Sequence, residues 1–418
     1  MDLNLFIQDL KDLVKYNSVQ AEPSPNMPFG KEVNGCLLTF LEIANRFGFE
    51  TINYNGYAGE VVFGQGEEFG ILCHLDIVPA GSLKDWDTPP FDLTLKNDKL
   101  IGRGVLDNKG PALIILHALN ELKQEGFIPN KKIRLILGCN EESGWECINH
   151  LKSLNKMPSF GFSPDADFPV IYAEKGIMHV EFSFDSKPLT FLKGGSAYNM
   201  VCDKVEFTPN VINDDLLEKY KLVKEGNYLV SYGKTAHASN PTKGINAIKR
   251  VLEYLQDTNC VSQEIKQKLF DNYTNILSLQ DETGNLTLSP DLIIYQNGKI
   301  KILCDIRYPS TLPYQKVLQE LQKIAPYEIK GHQPPIFLDK NCNLVQTLIK
   351  VYNQETNQNA RPISIGGGTY ARSMPNCVAF GPVFTNEDGV CHQPNEYMKL
   401  QDLLLAFKIY KKAITVLS

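Results

Sequence analysis

Apolar residues recur at two different spacings along this chain, and the first of these predicts helices alternating with strands. Apolar positions spaced three and four residues apart, with polar residues between them, are typical of amphipathic helices. They occur at Leu5 to Val14, Val33 to Phe47 and Gly110 to Leu122. Short β-type runs lie between the helices, at 61–63, 71–73 and 133–137. Strands that alternate with helices indicate an α/β sheet containing parallel pairs.

The pattern changes at His179, where apolar and polar residues begin to alternate one by one. This spacing predicts half-exposed strands and hence a second sheet. The same region contains a strand at 300–303 and a helix at Tyr314 to Ile324, and helical spacing returns at Asn343 to Tyr352 and Leu400 to Tyr410. We therefore predict a two-domain α/β protein. A mixed α/β domain with a central, largely parallel sheet is formed by 1–178 and 336–418, and an α+β domain is inserted at 179–335.

Length, charge and cysteine usage narrow the function class. At 418 residues the chain exceeds the ~250–300 residues at which one core stops growing, which supports two domains. A net charge of -6 without a Lys/Arg run argues against nucleic acid or a membrane as the partner. The N-terminus has no signal-peptide pattern, so we expect a cytoplasmic protein. Ten scattered cysteines without a CxxC pair are expected to be reduced, and Cys73, Cys139 and Cys391 are interpreted as small buried hydrophobes.

Candidate ligands follow the predicted strands of the first domain. His74 and Asp76 come directly after the strand at 71–73, and a loop signal, Ala80-Gly81, follows them. In open α/β sheets, ligands collect at the carboxyl ends of strands. An imidazole binds zinc or manganese well, and a carboxylate two residues later can hold the other ring nitrogen. The pair is therefore a candidate metal ligand with its orienting residue.

Acidic residues occur at two further loop positions of the same domain. Asp107 lies among glycines just before a helix, where it could cap the helix or offer two oxygens to two ions. Glu141 and Glu142 follow the strand at 133–137, and as an isolated motif they would be a solvated acidic loop. If one of them binds a metal, the other is free to act as general base on a water.

Asp165 and His392 lie in two more loop motifs and complete a mixed nitrogen and oxygen set. Such a set suits zinc, manganese or cobalt rather than calcium. The candidate metal ligands are His74, Asp107, Glu142, Asp165 and His392. The histidines that match no motif are interpreted as structural or surface residues; they are His117, His150, His179 and His332.

These motifs, in this order, resemble the M20 family of metallopeptidases, and most closely its bacterial dipeptidase branch. The resemblance spans most of the chain. It rests on HLDIVPAG, GRGVLDNKGP, NEESGW, FSPDADFPV, AEKG, GKTAHASNPTKGINA, GGGTYAR and HQPNE. It implies a catalytic domain with an inserted lid domain, and it implies hydrolysis of a small peptide substrate. One departure is Asn108, where the family usually has a second Asp, preceded by a cis peptide bond.

The resemblance also implies two divalent metal ions, zinc first, with manganese or cobalt as alternatives. Asp107 would bridge them, His74 and Asp165 would complete one site, and Glu142 and His392 the other. Glu141 would be the general base, Asp76 would orient His74, and His237 would stabilise the oxyanion. The implied substrate-binding residues are Arg307, Asn199, Gly367 and Gly368.

Two alternatives to a dipeptidase stay open at the level of sequence. An N-acyl amino-acid deacylase or desuccinylase of the same family needs the same metals, although the longer HLDIVPAG, PDADFPV and GGGTYAR blocks favour the dipeptidase. A metal-binding protein without catalysis is expected to lack the base or a ligand, and none is missing. The intermediate length of the lid is compatible with a monomer or a homodimer.

Overall fold

The computed structural model describes residues 1–210, 212–272, 274–384 and 389–418. The chain divides into two compact units. The first comprises Met1–Tyr172, Leu338–Ile363 and Thr369–Ser418, and the second comprises Ala173–Phe337 and Ser364–Gly368. The second unit begins at Ala173, six residues before the predicted position 179, and the strand that enters its sheet begins at Gly176. It also takes in the short glycine segment after residue 363, which the sequence had assigned to the first domain.

The helices and strands of the described residues are as follows. The helices are α1 (Leu3–Val14), α2 (Lys31–Arg46), α3 (Lys109–Gln124), α4 (Glu146–Ser153), α5 (Asp214–Lys219), α6 (Ala247–Asp257), α7 (Ile265–Phe270), α8 (Tyr314–Gln322), α9 (Asn343–Thr356) and α10 (Leu400–Leu417). The strands are β1 (Glu50–Asn53), β2 (Ala58–Phe63), β3 (Glu68–His74), β4 (Thr94–Lys96), β5 (Lys99–Ile101), β6 (Lys132–Gly138), β7 (Gly161–Ser163), β8 (Ala166–Asp167), β9 (Ile171–Glu174), β10 (Gly176–Asp185), β11 (Phe191–Gly194), β12 (Lys204–Thr208), β13 (Leu222–Glu225), β14 (Tyr228–Tyr232), β15 (Gln280–Asp281), β16 (Gly284–Asn285), β17 (Thr287–Gln296), β18 (Lys299–Tyr308), β19 (Tyr327–Gln333), β20 (Ile336–Phe337), β21 (Ile363–Ile365), β22 (Cys377–Ala379), β23 (Pro382–Val383) and β24 (Tyr397–Lys399).

The main sheet of the first unit is mixed, with a parallel centre. Its strands follow the order β1-β2-β6-β3-β7-β22-β9. Strands β6, β3, β7 and β22 are parallel neighbours, whereas β1, β2 and β9 join antiparallel. The mixed α/β class predicted from the sequence is confirmed, and the parallel part is confined to the four central strands. Their carboxyl ends therefore meet at one edge of the sheet.

The central strands and α3 form the core of this unit. Residues 69–74 of β3 and 133–138 of β6 are buried without alternation, as expected for strands covered on both faces. Helix α3 is buried at every position from Lys109 to Leu119, and it packs against α1, α10 and β3. Helix α1 begins where the Asp2 carboxylate accepts a hydrogen bond from the Leu5 amide, which caps the helix.

The second unit is built on an antiparallel eight-stranded sheet, in the order β13-β14-β12-β11-β17-β18-β10-β19. Along β10, Met178, Val180 and Phe182 are fully buried, while His179 and Glu181 are half-buried on the opposite face. This alternation is the one predicted from the sequence, and it indicates a sheet with one covered face and one open face. The covered face packs with α6 and α8 in a continuous hydrophobic core. The open face is called the open sheet face below.

Two further predictions can be checked on the described residues. All ten cysteines are free, and Cys73 and Cys139 are buried while Cys391 is half-buried. Among these residues, no helix combines the length and the apolar character that crossing a membrane requires.

Candidate metal centre

Three parallel strands bring candidate ligands to one edge of the first unit's sheet. His74 is the last residue of β3, Glu141 and Glu142 follow the end of β6, and Asp165 follows the end of β7. Strand β3 pairs in parallel with both β6 and β7, so the three strand ends lie side by side. The candidate ligands therefore lie at the carboxyl ends of neighbouring strands, where ligands collect in open α/β sheets.

Asp107 lies between two histidines, and each of its oxygens faces a different one. Its Oδ1 lies 3.0 Å from Nε2 of His74, and its Oδ2 lies 2.9 Å from Nε2 of His392. The peptide bond between Asp107 and Asn108 is cis, as the resemblance implied. Asn108 is the first residue before α3 but makes no side-chain cap. The helix-cap alternative for Asp107 therefore gives way to an arrangement in which its carboxylate joins two imidazoles.

A second carboxylate lies beside each histidine. Oδ1 of Asp165 is 3.3 Å from Nε2 of His74, and Oε1 of Glu142 is 3.2 Å from Nε2 of His392. The structure thus gathers all five predicted ligands into two sets, each with one imidazole, one carboxylate of its own and one oxygen of Asp107. Ligand atoms of His74, Asp107 and Glu142 lie within 4.8 Å of one another. Nitrogen and carboxylate donors at this spacing suit zinc, manganese or cobalt, so the residues present fit a divalent cation.

The charges of the cluster also favour a bound cation. Burial and the carboxylate of Asp107 raise the pKa of Glu142, and burial raises the pKa of Asp165. Hydrogen bonds to Asp107 and Glu142 raise the pKa of His392 to about 11. Burial opposes protonation of His74, but Asp165 and Asp107 hold its pKa well above the ordinary value. Three acidic groups therefore share a buried space in which positive charge is stabilised, and a divalent cation supplies that charge directly.

Asp76 organises this edge of the sheet in a way the sequence did not predict. Nδ1 of His74 is 3.0 Å from the main-chain oxygen of Asp76 and 3.6 Å from its Oδ1. His74 therefore makes its closest contact with the main chain of Asp76, and not with the side chain that was predicted to orient it. The carboxylate of Asp76 instead accepts hydrogen bonds of 3.0 Å from the amides of Glu141 and Glu142. It therefore fixes the loop that carries both glutamates.

Glu141, the predicted general base, is held by an indole. Nε1 of Trp145 donates a hydrogen bond of 3.2 Å to Oε1 of Glu141. Burial and the charge of Asp165 raise the pKa of Glu141 well above its ordinary value. Trp145 itself has a positive φ of 64° just before α4, and its ring packs edge-on against Tyr370. No role was predicted for Trp145 from the sequence, although it stands in the same NEESGW motif.

Glu396 is a second residue whose role the sequence did not reveal. It is fully buried, and it accepts hydrogen bonds from the amides of Gly104, Leu106 and Asp107 and from Nη1 of Arg103. These contacts shape the glycine-rich loop that presents the Asp107 carboxylate. The signal was the HQPNE motif, in which Glu396 follows the predicted ligand His392 by four residues.

The predicted substrate-binding residues all lie in the second unit. The main-chain oxygen of Asn199 accepts a hydrogen bond of 2.9 Å from the amide that follows His237, so these two segments are neighbours. Nδ1 of His237 is 2.7 Å from Oγ of Ser239. Gly367 and Gly368 belong to the short segment that this unit takes from the C-terminal part of the chain.

Arg307 is almost fully buried, and three of its N–H groups donate hydrogen bonds to neighbouring residues. Its Nε and Nη2 donate to the two oxygens of Asp305 at 2.6 and 2.7 Å, and its Nη1 donates to the main-chain oxygen of Gly366 at 3.1 Å. A guanidinium has five N–H groups, so one on Nη1 and one on Nη2 have no acceptor among the described residues. These two terminal nitrogens are suited to a carboxylate ligand.

The histidines interpreted as structural fall into two groups. His117 is buried against Asp9 at 3.0 Å, and His150 stacks on Tyr57 in the first unit. His179 of the second unit differs, because its Nε2 lies 3.4 Å from the Asp305 carboxylate that holds Arg307. It therefore stands closer to predicted substrate-binding residues than its sequence context indicated.

Comparison with known proteins agrees with the motifs. The model of peptidase family M20/M25/M40 matches residues 70–416. "Putative dipeptidase YtjP" of Bacillus subtilis (strain 168) is 33% identical over 446 residues, which cover 98% of this chain and 96% of that protein. Human carnosine dipeptidase 1 has a similar fold, with a TM-score of 0.61 at 14% identity over 99% of this chain and 95% of that one. The dipeptidase Dug1p of Saccharomyces cerevisiae gives 0.62 at 14% identity, over 99% of this chain and 96% of that one. The chain belongs to peptidase family M20/M25/M40, and it is a hydrolase.

Proposed function

We propose that this hydrolase is a di-metal dipeptidase that cleaves the peptide bond of unblocked dipeptides. The observation that carries the proposal is the placement of Asp107, whose two oxygens each face a separate pair of histidine and carboxylate. A single metal site needs only one oxygen of such a carboxylate, whereas a bridging ligand uses both. The relative named as a dipeptidase, which matches over nearly the whole chain, supports the same substrate class.

The proposed ligands of one ion are His74 and Asp165, those of the other are Glu142 and His392, and Asp107 is shared. Bound divalent cations, with zinc first and manganese or cobalt as alternatives, would polarise the scissile carbonyl and acidify the attacking water. Both imidazoles must be neutral to bind, so metal loading displaces their protons.

Residues of the chain then transfer the proton of the attacking water and stabilise the negative charge that develops on the substrate. Glu141 takes the proton of the attacking water through the oxygen that Trp145 leaves available, and returns it to the leaving amine. His237 stabilises the oxyanion of the tetrahedral intermediate. Arg307, with Asn199, Gly367 and Gly368, binds the C-terminal carboxylate of the substrate, which limits how much chain can follow the cleaved bond.

A competing proposal within the family is an N-acyl amino-acid deacylase or desuccinylase. Its products also carry a free carboxylate, so Arg307 would serve both enzymes equally well. The dipeptidase and the deacylase differ in the N-terminal end of the substrate that they accept. A dipeptide has a charged amine there, and an acylated amino acid has none. The cytoplasmic location and the choice between monomer and homodimer remain predictions.

The deciding experiment compares Ala-Ala with N-acetyl-Ala as substrates. Metal-stripped protein is restored with zinc, manganese or cobalt in parallel, and Asp107→Asn serves as the matched variant that lacks the bridging carboxylate. Cleavage of Ala-Ala that depends on metal and on Asp107 supports the dipeptidase. Preference for N-acetyl-Ala would move the assignment to the deacylase, and no cleavage of either by any reconstituted form would overturn both.

A further inference from the structure

The open sheet face of the second unit has two adjoining cavities. The first, of about 580 Å³, is lined by Asn199 and Arg307, the residues proposed to bind the substrate carboxylate. The second, of about 570 Å³, lies further along the same face. Both are lined by His179, Tyr198 and Leu292, so the second cavity continues from the first. A ligand held at Arg307 thus has neighbouring space that the proposed function does not use.

The second cavity carries an excess of positive charge. Lys193, Lys301 and Lys330 line it, whereas Glu181 is the one carboxylate among its lining residues. Nζ of Lys301 lies 3.0 Å from Oε1 of Glu181, and Nζ of Lys330 lies 3.7 Å from the same oxygen. Lys330 also pairs at 2.7 Å with Glu328, an exposed carboxylate outside the cavity lining. Lys193 is exposed, and no ion pair is found for it among the described residues. Part-exposed pairs of this kind are weak, so the lysines can still bind an incoming anion.

The floor between the two cavities is apolar. Leu292 and Leu303 lie on it, and the side chains of Tyr198 and Ile294 are 58% and 41% exposed, respectively. Exposed apolar surface beside ammonium groups suits a ligand with a short hydrocarbon stem and an anionic end. An acidic amino-acid side chain has that chemistry.

Strand register sets the distance that such a ligand must span. Residues two apart on β18 share a face, so Arg307, Asp305 and Leu303 follow one another along the open sheet face at about 6.7 Å per step. The guanidinium of Arg307 donates hydrogen bonds to Asp305. The Lys301 ammonium forms an ion pair with Glu181, which is the cross-strand partner of Leu303. One step of about 6.7 Å along β18, combined with an offset of about 5 Å between paired strands, separates the two cationic groups by roughly 8 Å.

Glutamate can bridge that gap. Its two carboxyl carbons are four bonds apart, about 5 Å when extended. Hydrogen bonds of about 2.8 Å at each end extend its reach to roughly 10 Å. Aspartate is one bond shorter, reaches roughly 9 Å and also spans the gap. A neutral side chain leaves the lysines unused.

We propose that the lysine-lined cavity binds the side-chain carboxylate of the C-terminal residue, which makes dipeptides ending in an acidic residue a preferred substrate class. The inference rests on the proposed function, because it takes Arg307 as the site of the main-chain carboxylate. It adds that Lys193, Lys301 and Lys330 determine specificity for the residue after the cleaved bond.

The test uses the metal-loaded enzyme and two isosteric substrates, Ala-Glu and Ala-Gln. We expect kcat/KM for Ala-Glu to exceed that for Ala-Gln by about tenfold or more, the scale of a charge-assisted hydrogen bond. Because the lysines are partly exposed, the ratio should fall as the salt concentration rises. Glu-Ala and Gln-Ala place the same difference before the cleaved bond, and their ratio should stay close to one.

Substitutions connect the preference to the cavity. Lys193→Gln, Lys301→Gln and Lys330→Gln should each lower the Ala-Glu to Ala-Gln ratio, and the triple variant should bring it near one. Lys323→Gln, directly after α8 and outside the lining of either cavity, is the matched control and should keep the ratio.

Three results would overturn the inference. The first is an Ala-Glu to Ala-Gln ratio near one in the unaltered enzyme. The second is a preference for Ala-Glu that survives the triple lysine variant. In both cases, continued cleavage of Ala-Ala leaves the proposed dipeptidase standing. Failure to cleave any free dipeptide, Ala-Ala included, would overturn the proposed function and this inference together.

Discussion

Nε1 of Trp145 donates a hydrogen bond of 3.2 Å to Oε1 of Glu141. The bond fixes one oxygen of the proposed general base and so directs the other. Trp145→Phe keeps an aromatic ring against Tyr370 but removes this donor. A hydrogen bond to a charged group contributes about 1.5–3 kcal/mol, so we expect kcat to fall by about 10- to 100-fold with little change in KM.

The second tryptophan of the chain provides the control. Nε1 of Trp86 donates to the main-chain oxygen of Ala80 at 2.9 Å, so Trp86→Phe also loses an indole hydrogen bond. We expect that variant to lose stability rather than turnover. Equal losses of kcat in both variants, measured on Ala-Ala by steady-state kinetics, would argue against a positioning role for Trp145.

Glu141→Gln tests the base itself. The amide keeps the size of the side chain and an oxygen for Trp145, but it cannot take a proton. Because Glu141 is not among the proposed ligands, metal content should be unchanged while kcat falls about 10²- to 10⁴-fold, the range of general acid–base catalysis. Turnover near that of the unaltered enzyme would remove Glu141 from its role, and loss of metal would reassign it as a ligand.

Metal content tests the division of ligands into two sets. We expect the unaltered protein to bind two ions per chain and His392→Ala to bind one, since His392 lies only in the set with Glu142. Asp107→Ala should weaken both sites because it removes the shared carboxylate. His150→Ala, which loses only a stacking contact with Tyr57, is the control. Mass spectrometry of the metals after dialysis checks this, and full occupancy in His392→Ala would contradict it.

Arg307→Lys tests recognition of the substrate carboxylate. Lysine keeps the positive charge beside Asp305 but loses the planar pair of terminal nitrogens. We expect kcat/KM on Ala-Ala to fall about tenfold or more, carried mainly by KM. Ala-Ala-amide lacks the carboxylate and should be hydrolysed with a similar kcat/KM by both forms. An equal loss on the two substrates would show that Arg307 acts on folding rather than on recognition.

The sequence predicted the parts of this site that depend on local pattern. Helix α3 and strands β3 and β6 follow from hydrophobic spacing, and the parallel strands fix where His74, Glu142 and Asp165 converge. The hydrogen bonds from main-chain amides to Glu396 could not be predicted in this way, because the Leu106 amide and Glu396 are 290 positions apart in the sequence. Such contacts depend on tertiary packing, which leaves no periodic signal in the sequence.

The contacts of Asp76 show that prediction from the sequence is also limited for residues that are close together in the chain. A carboxylate two residues after a ligand histidine predicts a contact between the two side chains. The structure instead gives His74 the main-chain oxygen and gives the carboxylate to the amides of Glu141 and Glu142. Strand β6 ends next to β3, which places the amides of Glu141 and Glu142 close to the Asp76 carboxylate. That placement depends on the order of the strands in the sheet.

Asp291 allows a prediction about stability and pH in the second unit. It is fully buried at the bulge of β17, and its Oδ2 has no hydrogen-bond partner among the described residues. Burial, reinforced by the charge of Asp305, raises the pKa of Asp291 from 3.8 to about 9. Between these values the folded chain holds a proton that the unfolded chain has released, so stability falls as pH rises from about 4 to 9.

Asp291→Asn mimics the neutral acid at every pH and should remove this dependence. We expect it to match the unaltered protein near pH 4 and to exceed it at pH 8 by several kcal/mol, because each pH unit in this range lowers the stability of the unaltered protein by about 1.4 kcal/mol. Thermal unfolding of the metal-loaded protein followed from pH 4 to pH 8 measures the difference as a shift of several degrees. Asp185→Asn, whose side chain is 94% exposed at the end of β10, should not change the pH dependence. If Asp291→Asn and Asp185→Asn lose stability with pH at the same rate, the buried carboxyl of Asp291 is not its source.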